Sequence, residues 1–250
     1  MSEPVNDGAI PAATLILVRE QPAGAPELLM VERAGGMAFA AGALVFPGGR
    51  IDDADRQLGQ QRGVDPAAVA AIRETIEETA VPVGLSPIPD AAAAHALQDA
   101  LIADRPFNKL LRELGLELEP GSLTLFARWV PKFHAVRRFD TVFFIARCPP
   151  GDWQPRVIEG ECNGAAWMTA DEVLERDRRG EARLIFPTRR NLERLALHPT
   201  FEAMKADAKS HSIDPISPWV EQIEGENFIT IPDGIGYPVT RERLDGLWRG

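Results

Sequence analysis

The sequence predicts an α/β protein in which strands rich in β-branched residues alternate with capped helices. Strands are expected where apolar runs lie between turn-forming residues. These runs occupy positions 12–19, 28–33, 123–131 and 141–147. A helix is expected at 66–79, because Val69, Ile72 and Ile76 recur there at helical spacing. A chain of 250 residues is long enough to bury a full core around such elements.

The rest of the pattern is mainly helical. Helices are expected at 91–101, 107–114 and 170–178, from beyond 188 through 197, and at 201–210, with short strands at 43–46, 165–168 and 228–231. The polar stretch 51–63 is expected to be an exposed loop, and no motif is evident after 231. We expect one elaborated domain over residues 1–250, with a core at about 10–180, a helical insert at about 87–118 and a C-terminal extension at about 181–250.

The composition limits the classes of partner. The net charge of −10 disfavours nucleic acid and an anionic membrane as main partners, and no apolar run approaches the length of a membrane span. Cys148 and Cys162 lack metal-ligand spacing and are expected to be reduced thiols in a cytoplasmic protein. Residues 1–9 contain no basic segment typical of a secretory signal. The oligomeric state stays open, with a homodimer as one candidate.

Three carboxylates lie on one face of the helix expected at 66–79. Glu74, Glu77 and Glu78 occupy positions i, i+3 and i+4, which project from the same side of an α-helix. Like charges at this spacing repel one another, so the arrangement is unfavourable unless a cation lies between them. Carboxylate oxygens are hard ligands that suit Mg²⁺ or Mn²⁺. For the triplet taken by itself, a solvated acidic face is the alternative explanation.

The neighbouring residues favour a metal site. Upstream, Gly48-Gly49 predicts a turn whose backbone can approach a phosphate or an ion closely, because glycine has no Cβ. Asp65-Pro66 is typical of a helix start, with the aspartate as N-cap, and Val81-Pro82 is typical of a helix end. A Gly-Gly turn followed by a capped helix with three carboxylates suits a metal-bound phosphate group.

This segment resembles the Nudix box, Gly-x5-Glu-x7-Arg-Glu-U-x-Glu-Glu-x-Gly-U, in which U is a bulky apolar residue. The matching residues are Gly49, Arg73, Glu74, Glu77, Glu78 and Val81. Fifteen residues, not five, separate Gly49 from Asp65, which holds the position of the first box glutamate, so the box contains a ten-residue insertion. We interpret Asp65 as a helix cap and not as a ligand.

Further departures from the box concern the helix end and the insertion. Thr75 replaces an apolar residue, and Ala80 replaces the closing glycine, so the helix end is expected to depart from the usual left-handed geometry. Near the Gly-Gly turn, a solvated turn is expected to contain Asp52, Asp53 and Asp55.

The residues before the box resemble those of Nudix coenzyme A diphosphatases of the peroxisomal type. Arg33-Ala34, Gly42 and Phe46-Pro47-Gly48-Gly49 follow the spacing of that subgroup, whereas Ala38 replaces its internal arginine. The resemblance covers roughly residues 10–200. It implies an α/β/α sandwich around a mixed sheet and metal-dependent hydrolysis of a nucleoside diphosphate-linked small molecule. Coenzyme A or acyl-CoA is the first candidate, giving 3′,5′-ADP and a 4′-phosphopantetheine product.

The resemblance also implies catalytic roles. The cation, Mg²⁺ or Mn²⁺, is expected on the Gly49 carbonyl, Glu74, Glu77 and Glu78. Arg73 would orient a catalytic glutamate, although an exposed pair with Glu77 alone is the simpler explanation for it. The proton of the attacking water would pass to a glutamate of the box or to Glu161, whose nearest competitor is Glu159.

A basic pair precedes the strand expected at 141–147. Arg137 and Arg138 are the densest positive pair near the expected site, and guanidinium groups suit phosphate. A structural pair with Asp140 explains them equally well. The full set of expected substrate-binding residues is Arg33, Gly48, Gly49, Arg137 and Arg138.

Other functions stay compatible with these residues. The same chemistry could act on ADP-ribose, a dinucleotide or a nucleotide sugar. A non-catalytic ligand sensor on the same fold is a second alternative, although a sensor has no need for the complete glutamate triplet. A purely structural metal-binding helix does not explain the Gly-Gly turn.

Overall fold

A mixed seven-stranded β-sheet forms the centre of the protein in the computed structural model, which describes residues 8–34, 42–131, 138–158 and 162–244. In chain order the strands are β1 (Ile10–Arg19), β2 (Glu27–Arg33), β3 (Leu44–Val45), β4 (Gly48–Arg50), β5 (Leu85–Ser86), β6 (Glu117–Leu118), β7 (Leu123–Trp129), β8 (Phe139–Arg147), β9 (Cys162–Thr169), β10 (Trp219–Ile223), β11 (Glu226–Thr230) and β12 (Arg241–Arg243). The helices are α1 (Asp53–Arg62), α2 (Pro66–Thr79), α3 (Ala91–Ile102), α4 (Phe107–Leu114), α5 (Ala170–Arg178), α6 (Phe186–Leu195) and α7 (Phe201–Ser210).

The strand order of the main sheet places β4 beside the start of β1. The central path is β3-β2-β1-β8-β7, with β4 paired to β1 and β9 paired to β2. β1 and β8 run parallel, and the other pairs of this sheet are antiparallel. Because β4 pairs with Ala12, Ala13 and Thr14, Gly48 and Gly49 lie beside the N-terminal half of β1.

Two apolar cores lie on opposite faces of this sheet, because successive side chains of a strand point to opposite sides. Leu15 and Leu17 of β1 belong to the core that receives the alanines of α2. Ile16 and Val18 belong to the core that contains α5, α6 and α7. The sheet therefore has helices on both faces, as the sandwich architecture requires.

Helix α2 is enclosed by apolar contacts on two sides. Its alanine-rich face packs against the sheet. On another side Val69, Ile72 and Ile76 join a third core with the helices α3 and α4. The predicted helical insert is thus packed directly against the helix that carries the carboxylate triplet.

Helix α2 has the predicted bounds and the predicted start. Asp65 is its N-cap and accepts a hydrogen bond from the Ala67 N–H at 2.9 Å. The predicted helices α3, α4, α5 and α7 are likewise present. Helix α6 ends at Leu195, two residues before the predicted end.

The prediction of a loop at 51–63 was wrong, because most of this segment forms the helix α1. The carboxylate of Asp55 accepts a hydrogen bond from the Asp52 N–H at 2.9 Å and so caps the first turn. Leu58 is buried in the core shared with α2, and Gly63 ends the helix in the left-handed region. A single apolar contact in a polar helix leaves little hydrophobic periodicity, and this is why the pattern resembled a loop.

The end of α2 also differs from expectation. Ala80 adopts the left-handed conformation (φ 59°) that the box glycine would take, and its N–H donates to the Ile76 carbonyl at 2.8 Å. Ala80 is buried. The geometry is therefore retained without glycine, at a conformational cost of roughly 1 kcal/mol.

The C-terminal region contains more structure than the sequence pattern predicted. Strands β10, β11 and β12 form a separate antiparallel sheet, of which only the middle strand was expected. Ile229, Ile231 and Tyr237 attach this region to the core that contains α5, α6 and α7. Across the described ranges, no helix combines the length and the apolar character needed to cross a membrane.

Candidate active site

The Gly48-Gly49 segment forms β4 and packs so closely that side chains are excluded. A Cβ on Gly48 would lie 2.4 Å from the Ala13 carbonyl oxygen and 2.7 Å from Thr14 Cα, and the residue has φ +155°. A Cβ on Gly49 would lie 2.4 Å from the carboxyl carbon of Glu74. Gly48 is therefore required by the strand beside it, whereas a side chain at Gly49 would displace the carboxylate of Glu74 in α2.

The three glutamates of α2 lie against this segment. Glu78 is buried, and its carboxylate accepts a hydrogen bond from the Gly48 N–H at 3.0 Å. The side chains of Glu74 and Glu77 retain 15% and 19% of their exposure. The triplet is thus not a solvated acidic face.

Arg73 connects two of these glutamates to each other. One guanidinium nitrogen, Nη2, lies 2.9 Å from Glu74 Oε1, and the other, Nη1, donates to Glu77 Oε2 at 3.0 Å. Nη2 also donates to the Arg50 carbonyl at 3.2 Å, at the end of β4. The interpretation of Arg73 as an exposed residue that pairs only with Glu77 is therefore wrong, because Arg73 is enclosed and contacts several acceptors.

Asp55 is the residue of this site that the sequence pattern missed. Its side chain is 2% exposed, and its two oxygens accept from Nε and Nη2 of Arg73, each at 2.9 Å. The expectation of a solvated turn was therefore wrong for Asp55. The helix α1 carries this aspartate inward, and a bidentate guanidinium compensates its buried charge. By contrast, Asp53 is almost fully exposed.

The site contains more carboxylate groups than cationic groups. Burial raises the pKa of Glu74 to about 7, and the nearby charge of Glu77 adds to this effect, although Arg73 opposes it. Burial by itself would lower the pKa of Arg73, but its hydrogen bonds with Asp55 and the charge of Glu74 raise it instead. A further cation would therefore be favoured here.

The side chains of this site are suitable ligands for a divalent cation, although they are not already arranged in metal-binding geometry. Within the described ranges, no three carboxylate, thiol or imidazole groups already stand in metal-binding geometry. Arg73 and the Gly48 N–H hold the glutamate oxygens, so a cation would compete with these partners. The donors are hard carboxylate oxygens, and Glu74 is pressed against a glycine backbone, as a shared metal shell would require.

The other predicted site residues are only partly covered by the described ranges. Arg33 ends β2, and its Nε is buried with no hydrogen-bond partner among the described residues. Arg138 precedes β8, and its carbonyl accepts from the Ile10 N–H at 2.7 Å. Asp140 forms a buried bidentate pair with Arg128, at 2.7 and 2.6 Å. Four residues from the sequence analysis lie outside the described ranges: Ala38, Arg137, Glu159 and Glu161.

A buried glutamine joins the helical insert to the helix α2. Gln98 of α3 is fully buried and donates to the carbonyl of Glu77 at 3.0 Å and to that of Arg156 at 2.8 Å. The Arg156 N–H donates in turn to the Thr79 carbonyl at 2.9 Å. These contacts fasten the end of α2 to both the insert and the segment before β9.

Several solved structures of Nudix proteins resemble this fold. A Nudix hydrolase from Alicyclobacillus acidocaldarius is 28% identical, with a TM-score of 0.64 over 83% of this chain and 98% of that one. The Nudix hydrolase RenU from M. smegmatis is 17% identical (TM-score 0.43, 74% and 83% of the two chains). The Nudix domain of Shewanella oneidensis NrtR, complexed with ADP-ribose, is 14% identical (TM-score 0.44, 74% and 84%).

No family model matches the sequence, and no curated protein matches it. The likeness to the Alicyclobacillus acidocaldarius hydrolase, however, extends over most of both chains. The mixed sheet and the glutamate-bearing helix beside the Gly-Gly segment agree with it. Together these observations show that the chain has the Nudix fold, and they support a Nudix hydrolase enzyme.

Proposed function

We propose that this protein hydrolyses the diphosphate bond of a nucleoside diphosphate-linked small molecule, with coenzyme A or acyl-CoA as the first candidate. The observation that carries the proposal is the contact between α2 and β4. There the carboxylates of Glu74 and Glu78 lie against the backbone of Gly48 and Gly49. The products from coenzyme A would be 3′,5′-ADP and 4′-phosphopantetheine.

Hard oxygen donors favour Mg²⁺ or Mn²⁺ in this site. The residues that would hold the ion are Glu74, Glu77, Glu78 and the Gly49 carbonyl. A bound divalent cation would neutralise the charge of the diphosphate and lower the pKa of a bound water.

The side chains of the protein orient the reacting groups. Arg73 holds the carboxylates of Glu74 and Glu77 at 2.9 and 3.0 Å, which restricts their rotation. The proton of the attacking water passes to a glutamate of the box or to Glu161.

The choice of coenzyme A rests on the resemblance of residues 33–49 to the coenzyme A diphosphatases and on two arginines. Arg33 presents a buried Nε without a partner among the described residues. Arg138 lies beside the start of β1, the strand that β4 joins. ADP-ribose, dinucleotides and nucleotide sugars are the alternative substrates, since Ala38 departs from the coenzyme A pattern.

We further propose that residues 1–250 form one elaborated Nudix domain, with the insert and the C-terminal extension packed on its core. Cytoplasmic localisation stays a prediction that is consistent with Cys148 and Cys162, which are both buried and form no disulfide. The homodimer likewise stays a prediction, which light scattering would test.

A hydrolysis screen tests the reaction. Coenzyme A, acyl-CoA, ADP-ribose, a dinucleotide and a nucleotide sugar are incubated with Mg²⁺ or Mn²⁺, and the products are separated by chromatography. Glu78→Gln is the matched control, because it keeps the size of a proposed ligand but removes its charge. We expect turnover to fall by at least about a hundredfold in this variant. Hydrolysis of none of these compounds would favour the ligand sensor instead.

The coenzyme A assignment has a separate test in the charge of the 3′-phosphate. Arg138→Ala, and in parallel Arg137→Ala, are compared on coenzyme A and dephospho-coenzyme A. A charge-assisted phosphate contact is worth roughly 1.5–3 kcal/mol, so the responsible variant should lose about ten- to a hundredfold in kcat/KM for coenzyme A only. Equal losses for both compounds would show that the arginines act on the diphosphate or on the fold.

A further inference from the structure

We propose that Gln98 of the helical insert is a positioning residue for the reaction. It holds the backbone of the last turn of α2, residues 76–79, in the place where the carboxylates of Glu77 and Glu78 can bind a divalent cation. The inference rests on the proposed function of the same site, and it gives the insert a part in that function. Gln98 acts on the backbone of α2 and has no contact with the substrate.

The last turn of α2 has little stability of its own. The C-terminus of a helix is the negative end of its dipole, yet residues 76–79 include two glutamates and no basic residue. The hydroxyls of Thr75 and Thr79 each donate to the carbonyl four residues earlier, a pattern that slightly destabilises and bends a helix. Ala80 then ends the helix in the left-handed conformation. This turn therefore depends on contacts from outside the helix.

Two terminal carbonyls of α2 receive hydrogen bonds from outside the helix. The last four carbonyls of any α-helix lack partners within it. Gln98 Nε2 donates to the Glu77 carbonyl at 3.0 Å, and the Arg156 N–H donates to the Thr79 carbonyl at 2.9 Å. Gln98 Nε2 also donates to the Arg156 carbonyl at 2.8 Å. These three hydrogen bonds join the last turn of α2 to the insert and to the segment before β9.

The burial of Gln98 shows that its amide is held in place. Gln98 is the polar residue on the buried face of α3, whose other members are Ala94, Leu97 and Leu101. Burying an amide is unfavourable unless its polar atoms are hydrogen-bonded. Its Oε1 accepts from Arg156 Nη1 at 3.0 Å, so both ends of the amide are used. Because the leucines of this face share a core with Ile76 of α2, the packing of the two helices fixes the position of the amide.

The position of the last turn decides where two carboxylates stand. Glu78 accepts from the Gly48 N–H and Glu77 from Arg73 Nη1, each at 3.0 Å. A cation that competes for these oxygens needs the helical backbone beneath them to stay in place. If the turn opened in the metal-free protein, binding of a cation would have to restore it. Gln98 therefore raises the affinity for the cation by keeping its ligands preorganised.

Amide hydrogen exchange of the metal-free protein, followed by NMR, measures the stability of the last turn directly. Gln98→Met keeps the length of the side chain but removes both N–H donors. We expect exchange at residues 77–80 to become about tenfold faster relative to residues 69–72, because a buried carbonyl of the turn loses its Gln98 donor. Unchanged exchange at 77–80 in this variant would overturn the proposal.

Mn²⁺ binding without substrate, measured by electron paramagnetic resonance titration, tests the effect on the cation. The Kd for Mn²⁺ should rise about tenfold in Gln98→Met. The Mg²⁺ concentration needed for half-maximal turnover should rise in parallel. At saturating Mg²⁺ both kcat and KM should return close to their wild-type values, since the cation then restores the turn. A wild-type Kd for Mn²⁺ in Gln98→Met would refute the positioning role.

Arg156→Met tests whether the effect comes from the helix contact or from the neighbouring ion pair. The variant removes the guanidinium, which pairs with Asp99 at a largely exposed position, but it keeps the backbone N–H and carbonyl of residue 156. Exposed pairs contribute little, so exchange at 77–80 and Mn²⁺ affinity should stay close to those of wild type. A loss as large as in Gln98→Met would assign the effect to the guanidinium and contradict the proposal.

Two further variants separate positioning from general stability, after Tm values are measured for all proteins. Leu110→Ala removes a buried side chain of α4 from the same core and should lower Tm, but exchange should accelerate evenly along α2. His95→Gln changes an exposed side chain of α3 and should match the wild type. A selective loss at 77–80 in Leu110→Ala, equal to that in Gln98→Met, would show that any loosening of the insert is sufficient and would count against Gln98.

The outcomes for the site and for Gln98 are distinguishable. If the wild type hydrolyses no substrate while Gln98→Met exchanges faster at 77–80 and binds Mn²⁺ more weakly, the proposed function fails and the positioning of the metal ligands stands. If the wild type hydrolyses a substrate and Gln98→Met equals it in exchange and in Mn²⁺ affinity, the function stands and the role of Gln98 fails.

Discussion

Gly49 and Arg73 enclose the carboxylate of Glu74. Burial raises its pKa from 4.5 to about 7, and the charge of Glu77 acts in the same direction. Its contact with Gly49 leaves no space for even a methyl group. The residue thus combines a disfavoured charge with a fixed position, which is a combination that a bound cation would stabilise.

This shift predicts a pH-dependent stability of the metal-free protein. Because the folded-state pKa is the higher one, the stabilising contribution of Glu74 is complete below pH 4.5 and is lost as the pH rises through about 7. Metal-free Glu74→Gln should therefore be more stable than wild type at pH 8, by at most about 3 kcal/mol. At pH 4 the two proteins should be equally stable.

Urea unfolding in the presence of a chelator, from pH 4 to pH 8, measures this difference. Glu181→Gln, at an exposed position, is the control and should follow the wild type throughout. Parallel stability curves for wild type and Glu74→Gln would contradict the prediction.

At the scale of elements, the site depends on the contact between β4 and α2. β4 has only three residues, and its pairing with β1 brings the Gly49 backbone against the side chain of Glu74. The opposite side of α2 packs against the helical insert, where Gln98 binds the Glu77 carbonyl. Helix α2 is therefore in contact with the structure on two sides, which limits its freedom to relax after a substitution.

Gly49→Ala tests the importance of this contact between β4 and α2. The new Cβ would lie 2.4 Å from the Glu74 carboxyl carbon, so Glu74 must move away from the proposed metal site. A displacement of about 1 Å in a reacting geometry can cost on the order of a hundredfold in rate, and we expect a loss of this size in kcat. Steady-state kinetics on the substrate found by the screen provides the measurement.

Gly121→Ala is the matched control, because a Cβ at that position meets no atom within 4 Å. Its kcat should equal that of wild type. Wild-type activity in Gly49→Ala would show that the close contact with Glu74 does not matter for turnover.

At the scale of the whole molecule, one buried arginine holds the C-terminal extension to the central sheet. Arg194 of α6 is 2% exposed at its side chain, and its Nε donates to Asp207 of α7 at 2.7 Å. Its guanidinium lies over the rings of Phe126 in β7 and Tyr237 near β12, at 4.4 and 5.3 Å. A second ion-pair group joins α6 to β12 through Arg189, Arg190 and Glu242.

Arg194→Met should destabilise the protein strongly, because it leaves Asp207 enclosed without its cation. Removing one partner of a buried pair typically costs about 3–5 kcal/mol, and urea unfolding should show a loss of this order. The double variant Arg194→Met/Asp207→Asn should recover part of the loss, since the unpaired charge is then absent. Arg241→Gln removes an exposed pair and should cost less than about 0.5 kcal/mol. A loss equally small in Arg194→Met would contradict the anchoring role.

The sequence by itself determined the features that depend on residues close to one another along the chain. The bounds of α2, its cap at Asp65 and the common face of Glu74, Glu77 and Glu78 depend on residues at most four positions apart. The adjacent strands β1 and β2 were likewise predictable from two apolar runs and the turn between them. The resemblance of the box then pointed to the fold.

Only the tertiary structure decided which distant groups meet. Asp55 and Arg73 are eighteen positions apart, and their pairing depends on the packing of α1 against α2 through Leu58. Strand β12 has three residues, and its pairing with β11 depends on a long-range contact more than on its own pattern. Hydrophobic periodicity reports which face of an element is buried, but it does not report which partner covers that face. For this reason helix α2 was predictable from the sequence, and the aspartate that pairs with its arginine was not.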